Sequence, residues 1–414
     1  TPSYSAKSFK KPKFRQYIDG INVNCVSILT EFTKQTMQHI KRALFDRIML
    51  GLGQQKVSLL IGARRVGKTV LLDAIKNETT QNVLHLNGED DDTAAIIEQQ
   101  SIANYRRLLQ GYTILMIDEA QFITNIGQKA KLMIDNIKPL HIILTGSSPF
   151  HLMQHGAPLA GRTITFQMYP VAQMELAAYE NPLETKQKLE EKLIYGLYPE
   201  VLSIPNLNDK KNYLNELVNT YLLKDLIAFE DIRHPQKILD LLELIAFQVG
   251  AEVKIEALGN ALGISKNTVE RYLDLLSKVF IIYRQTGFSR NLSKEITKSQ
   301  KIYFYDNGVR NAIIQQFQPL ALRQDIGALW ENYILAERQK NHAYTGTIVN
   351  SYFWRTYDQQ EIDLVEEKDG KLSAFEVKWK LQKKPKLPVG FAKAYPYADF
   401  GVITEANYLN WIGG

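Results

Sequence analysis

A single cysteine, Cys25, stands in the 414 residues of this chain. No intrachain disulfide is possible, and such usage points to a reducing, cytoplasmic compartment. No apolar run approaches the roughly 18 residues that a membrane-spanning helix needs, so no membrane partner is expected. Residues 7–15 are basic, but they lead into Tyr17-Ile18-Asp19-Gly20 rather than an apolar stretch, which argues against a signal peptide. Internal repeats and low-complexity tracts are also missing. Charge of one sign is scarce over most of the chain. Residues 1–50 hold nine Lys/Arg against three Asp/Glu, which accounts for the whole net charge of +6, and the remainder balances. A basic arm of that kind can touch nucleic acid or simply keep a tail solvated. With 45% hydrophobic and 23% charged residues, the composition is that of a globular protein with ample core, long enough for two to four domains.

Against that background one segment stands out. Gly62-Ala63-Arg64-Arg65-Val66-Gly67-Lys68-Thr69 fits G-x-x-x-x-G-K-[S/T] and follows the apolar run 57–61. A buried strand, a glycine-rich turn and a helix beginning near Val70 form the setting in which backbone N–H groups cradle phosphates. Lys68 would add a point charge at the β- and γ-phosphates, and the Thr69 hydroxyl would ligate Mg²⁺. ATP and Mg²⁺ are therefore the expected cofactors. A second apolar run, 113–117, ends in Asp118-Glu119. Acids at the carboxyl end of a parallel strand sit where ligands bind in open α/β sheets. Asp118 would hold Mg²⁺ through water, and Glu119 would orient and deprotonate the attacking water. A third run, 141–144, ends in Thr145-Gly146-Ser147-Ser148, which suits a γ-phosphate sensor or an ordinary Ser/Gly turn. Arg162, just before a closing strand at 163–166, fits either a charge clamp on the phosphates, from its own chain or a neighbour's in a homo-oligomer, or a surface or capping residue.

The organisation follows. Residues 1–50 read as a basic arm and a helix (27–52). Residues 51–180 read as a P-loop ATPase core of alternating strands and helices, with helices at 70–78, 94–110 and 128–137 and a parallel central sheet. Residues 181–235 form a helical lid or linker, broken at Gly196-Leu197-Tyr198-Pro199. Residues 236–306 have the order helix, helix, glycine turn, helix, hairpin, that of a winged helix-turn-helix. Its third helix offers Lys266, Asn267 and Arg271, and the loop after Arg284 offers Arg290, Lys294 and Lys298, a plausible set of phosphate contacts to DNA. Mixed charges on that helix equally suit a protein-binding module. Residues 307–414 read as a small α/β unit.

Within that last unit, Asp369-Gly370 is a two-residue hairpin signal. It pairs Lys368 with Lys371, which sets Asp363 opposite Glu376 and Glu361 opposite Lys378. Directly opposed carboxylates repel unless a cation or proton lies between them. D…E-x-K is also the motif of PD-(D/E)xK nucleases, whose acids bind Mg²⁺ and whose Lys steadies the water or phosphate. Asp363, Glu376 and Lys378, with Glu331 on the helix at 328–340, form a possible second metal site. A solvated hairpin with alternating charges is the plainer alternative.

Taken together, G-A-R-R-V-G-K-T, I-D-E-A-Q, L-T-G-S-S, L-A-G-R, G-L-Y-P-E-V, the G-A-L-W-E-N helix and F-W-R…E-I-D-L…E-V-K resemble one family. It comprises the bacterial and archaeal AAA-type ATPases whose C-terminal domain of unknown function is related to PD-(D/E)xK nucleases. The resemblance spans about residues 56–380 and implies an ASCE-type ATPase core, a winged helix and a nuclease-like module. Three readings of function follow. One is an ATP-driven switch acting on DNA, another a signalling or scaffold ATPase whose C-terminal modules bind protein, and the third a metal-dependent nuclease merely gated by ATP.

Overall fold

Five parallel strands build the first sheet of the computed structural model, which describes residues 40–147, 161–222, 235–289, 300–356, 359–381, 383 and 385–413. They are β1 (Val57–Ile61), β2 (Val83–Asn87), β3 (Ile114–Asp118), β4 (His141–Gly146) and β5 (Thr163–Gln167), in the order β2-β3-β4-β1-β5. The three inner strands are buried along their whole length, as aliphatic runs covered by helices on both faces must be. Because all five run one way, their carboxyl ends share one edge. The chain leaves β1, β3 and β4 there at Gly62, Glu119 and Ser147. With β4 between them, β1 and β3 lie roughly 10 Å apart. This is the α/β sheet of a P-loop NTPase.

Local chemistry sets the helices. The helix Lys68–Glu78 opens directly from the glycine turn. The single helix expected over 94–110 is instead two, Asp91–Glu98 and Ile102–Leu108. Asp90 caps the first by accepting from Asp92 N, and extended Ser101 restarts the chain. The Tyr105 hydroxyl then donates to the Ile97 carbonyl at 2.7 Å, tying the pair together. Of the helix expected over 27–52, the described part is Leu44–Gly51, with Leu44 and Ile48 buried. Residues 40–42 are not helical, and 27–39 lie outside the described residues.

Downstream, a second sheet has seven strands: β6 (Glu252–Val253), β7 (Ile282–Gly287), β8 (Gln300–Phe304), β9 (Asn350–Arg355), β10 (Glu361–Lys368), β11 (Lys371–Val377) and β12 (Asp399–Ile403). Their order is β12-β11-β10-β9-β7-β8-β6. Helices Pro235–Phe247, Ile255–Leu262 and Lys266–Lys278 precede β7. Gly263 turns the chain at φ 65°, and Ser265 accepts from Thr268 N to cap the third helix. β7 continues the sheet by pairing in parallel with β9, Thr286 with Tyr352 and Gly287 with Phe353. The segments 236–306 and 307–414 thus share one sheet. Phe288, Trp354, Ile362, Val365, Leu372, Ala374 and Phe391 form a buried cluster at its C-terminal half. The helix Ile326–Thr345 buries Trp330, Tyr333 and Ile334 among others. No helix among the described residues is long and apolar enough to cross a membrane.

Candidate functional site: the phosphate loop and its surroundings

Between β1 and the helix Lys68–Glu78 the chain is held by two kinds of necessity. A Cβ on Gly62 would stand 2.1 Å from the Met168 carbonyl oxygen, so only glycine lets the chain after β5 pass. Gly67 has φ +96°, a conformation that L side chains rarely adopt. Arg65 is also left-handed, at φ 63°. Lys68 opens the helix, so the positive end of its dipole faces the loop. The Lys68 ammonium is buried and donates to the Gly62 and Ala63 carbonyls at 3.0 and 3.1 Å. Val66 is buried, whereas Arg65, Thr69 and Val70 are exposed and Arg64 half-buried.

Three strand ends converge beside the loop. The Thr69 hydroxyl donates to Asp118 Oδ2 at 2.6 Å. The Thr145 hydroxyl at the end of β4 donates to Asp118 Oδ1. Glu119 N donates to the same Oδ1 at 3.1 Å and to Thr145 Oγ1 at 3.0 Å. Asp118 is buried and Glu119 half-buried. Glu119 takes a left-handed turn, φ 47°, and its Oε2 accepts from Gln121 Nε2 at 2.5 Å. A hydroxyl and a carboxylate meeting in this way form a hard oxygen donor set suited to Mg²⁺. Two residues that sequence reasoning missed belong to this arrangement. Gln121 orients Glu119, and Gly88, after β2, donates its N–H to the Asp118 carbonyl at 2.8 Å. Gln121 follows the acid pair closely enough to have been found, but nothing local marks Gly88.

Arg162 lies at the other edge. Thr163 pairs with Val57 at the start of β1, five residue steps or roughly 17 Å from the loop. Its guanidinium meets Asp135 at 2.8 Å. That end of the strand is the one away from the phosphate loop, and the ion pair with Asp135 fits the surface reading of Arg162.

The C-terminal hairpin has the register its turn demands, Lys368 with Lys371 through to Leu364 with Phe375. β10 is irregular against β9 between Ile362 and Val365, the stretch that holds Asp363. Asp363 Oδ2 accepts from Val377 N at 2.8 Å and from Lys378 Nζ at 3.0 Å, and Lys378 also meets Glu376 at 2.8 Å. Burial first, then the Asp363 charge, pushes the Glu376 carboxyl up. Burial opposes the Lys378 charge, yet its two acids raise it. Glu331 is engaged elsewhere, accepting from the Tyr303 hydroxyl at 2.6 Å and from Lys301 at 3.3 Å. Burial raises its carboxyl to about 7; Lys301 opposes the shift and Asp363 adds to it. The expected three-carboxylate ligand set does not close: among the described residues no three His, Cys, Asp or Glu side chains are placed to hold a metal ion. The Glu331 carboxylate is bonded to Tyr303 and Lys301.

On the third helix of the middle segment, Lys266, Asn267 and Arg271 are exposed. Lys266 pairs with Glu256 at 2.6 Å and Lys278 with Asp274 at 2.7 Å. Arg290, Lys294 and Lys298 lie outside the described residues.

Residues 54–177 match a family described as AAA domain. Residues 186–320 and 326–409 match two families each described as a domain of unknown function. An uncharacterized protein of Mycobacterium tuberculosis is 24% identical over 344 residues, covering 82% of this chain and 74% of that one. Another, from Methanocaldococcus jannaschii, is 25% identical over 305 residues, covering 69% and 67%. Among solved structures, a Walker-type ATPase of Pyrococcus abyssi aligns over 66% of this chain and 94% of its own at 18% identity and a TM-score of 0.47. The RuvB Holliday junction branch migration motor of Thermotoga maritima covers 62% and 89% at 18% identity and a TM-score of 0.30. At these scores neither likeness carries weight. The sheet, the loop and the match make residues 54–177 an AAA-type P-loop ATPase domain.

Proposed function

We propose that this chain is a Mg²⁺-dependent ATP-hydrolysing switch that couples its nucleotide state to DNA through its C-terminal modules. The observation that carries the hydrolytic part is Asp118 bridging the hydroxyls of Thr69 and Thr145 while its neighbour Glu119 is held by Gln121. Thr69 and Asp118 would hold Mg²⁺, which would neutralise phosphate charge when bound. Lys68 and the loop N–H groups bind and orient the phosphates. Glu119 accepts the proton of the attacking water, and Thr145 keeps Asp118 and the Glu119 backbone in place. In this reading 51–180 is the ATPase core, 181–235 a helical linker, 236–306 a winged helix and 307–414 a nuclease-like unit. Arg162 acts across a subunit boundary in a homo-oligomer.

The second reading, an ATPase whose C-terminal modules bind protein, draws on two observations. Lys266 and Lys278 are already ion-paired, and the acids near Asp363 do not complete a metal shell. Two experiments decide. Lys68→Ala should lose nucleotide binding, while Glu119→Gln should keep binding and lose turnover; wild-type hydrolysis by Glu119→Gln would reject the assigned base. Duplex DNA affinity should fall steeply with salt if phosphates are contacted, and a flat response would favour the protein-binding reading.

A further inference from the structure

Arg42 precedes the first described helix and is almost wholly buried, at 7% exposure. A buried guanidinium is costly unless its donors are met, and here four separate segments meet them. Nε donates to Glu175 Oε1 at 3.0 Å and Nη1 to the Val66 carbonyl at 2.5 Å. Nη2 donates to the Tyr169 carbonyl at 2.7 Å and to the Tyr344 hydroxyl at 3.1 Å. The same hydroxyl accepts from Tyr169 N at 3.0 Å.

The bond to Val66 lies inside the phosphate loop. A trans peptide is planar, with its carbonyl and N–H pointing opposite ways. Drawing the Val66 carbonyl toward Arg42 therefore turns the Gly67 N–H away from Arg42 and fixes the plane of this loop peptide. At the other end, Tyr344 stands in the last turn of the helix Ile326–Thr345, the helix that carries Glu331. Arg47 fixes that turn by donating to the Ala343 and Tyr344 carbonyls at 2.7 and 3.2 Å. Along the helix, Glu331 is thirteen residues away, roughly 20 Å.

We infer that Arg42 and Tyr344 are positioning residues that join the phosphate loop to the C-terminal helix. The orientation of the Val66–Gly67 peptide and the position of the helix Ile326–Thr345 then set one another. Coupling of this kind is reciprocal: nucleotide on the loop steadies the helix, and a shift of the helix alters nucleotide affinity. The inference rests on nucleotide binding at the loop and adds the route by which that binding reaches the C-terminal unit.

The test uses the full chain and two measurements with Mg²⁺ and a non-hydrolysable ATP analogue: a binding titration, and hydrogen exchange over residues 326–345. Wild type should bind and gain protection in that helix. Tyr344→Phe keeps the ring and its contact with Tyr169 but deletes the hydroxyl. It removes the acceptor of both the Arg42 and the Tyr169 N–H, and should weaken binding by roughly five- to tenfold and lose the nucleotide-dependent protection. Arg42→Lys, which cannot keep the planar fork, should do the same more strongly. Wild-type affinity and protection in Tyr344→Phe would overturn the inference. So would a uniform rise in exchange across the whole chain, which marks a merely structural role. If wild type binds without any change in 326–345, the coupling is wrong and the ATPase reading stands. If wild type binds no nucleotide, both fall.

Discussion

Replacing Gly88 by alanine isolates one contact on which catalysis should depend. Gly88 is absent from the positive-φ residues, so alanine meets no backbone strain there. What it meets is the chain after β3. The added Cβ would stand 2.6 Å from the Glu119 carbonyl oxygen and 3.2 Å from that of Asp118. Ordinary contact begins near 3.4 Å, so the Glu119–Ala120 peptide must retreat by more than half an ångström. That movement carries the proposed base with it, whereas the loop Gly62–Thr69 leaves β1, two strands away. Misplacement approaching 1 Å costs up to about a hundredfold in rate, and the overpacking costs about 1–3 kcal/mol in stability. Steady-state ATP hydrolysis by Gly88→Ala should therefore show kcat down by roughly 10- to 100-fold with KM little changed. A normal kcat, or a rise in KM alone, would refute both the contact and the role given to Glu119.

Other outcomes are equally open to measurement. Glu331, raised from 4.5 to about 7, binds a proton in the folded state that the unfolded chain releases at lower pH. Its stabilising protonation is complete below about 4.5 and lost as pH rises through 7, at a cost of at most about 3 kcal/mol. In urea unfolding, Glu331→Gln should therefore be more stable than wild type near pH 8 and not at pH 4.5; an equal difference at both would reject the burial cause. Glu376→Gln should stabilise the metal-free protein by relieving the opposed charges, while Asp363→Asn should not, because Asp363 accepts from Val377 N and Lys378. Stabilisation by Asp363→Asn alone would reverse that assignment. If Arg162 serves a neighbouring subunit, Arg162→Ala mixed with Lys68→Ala should recover activity, and no recovery at any protein concentration would remove it from the mechanism.

Much of the ATPase core was legible because its determinants are local. Aliphatic runs ending in Gly62 and Asp118 mark strands covered on both faces, and a glycine turn before Lys68 leaves little choice of geometry. The hairpin register was legible for the same reason, since Asp369-Gly370 fixes the pairing of everything behind it. Arg42 and Gly88 were not, because their partners are distant in sequence: Val66, Glu175 and Tyr344 for one, the Asp118–Glu119 backbone for the other. The side of the sheet on which Arg162 lies follows from strand direction, which the sequence does not state. Glu331 was placed on the right helix, yet the claim of Lys301 and Tyr303 on its carboxylate depends on how β8 packs beneath it.

The pairing of β7 with β9 has a mechanical consequence. A linker between the three-helix segment and the hairpin carrying Asp363 would let the two swing, and their separation would vary with thermal motion. A shared hydrogen-bonded sheet does not. From β7 to β10 is two strand spacings, roughly 10 Å, set by main-chain geometry rather than by side-chain contacts. The strand that follows the helix Lys266–Lys278 and the strand that carries Asp363 therefore keep one offset, so this half of the protein is built as a ruler rather than as a jaw.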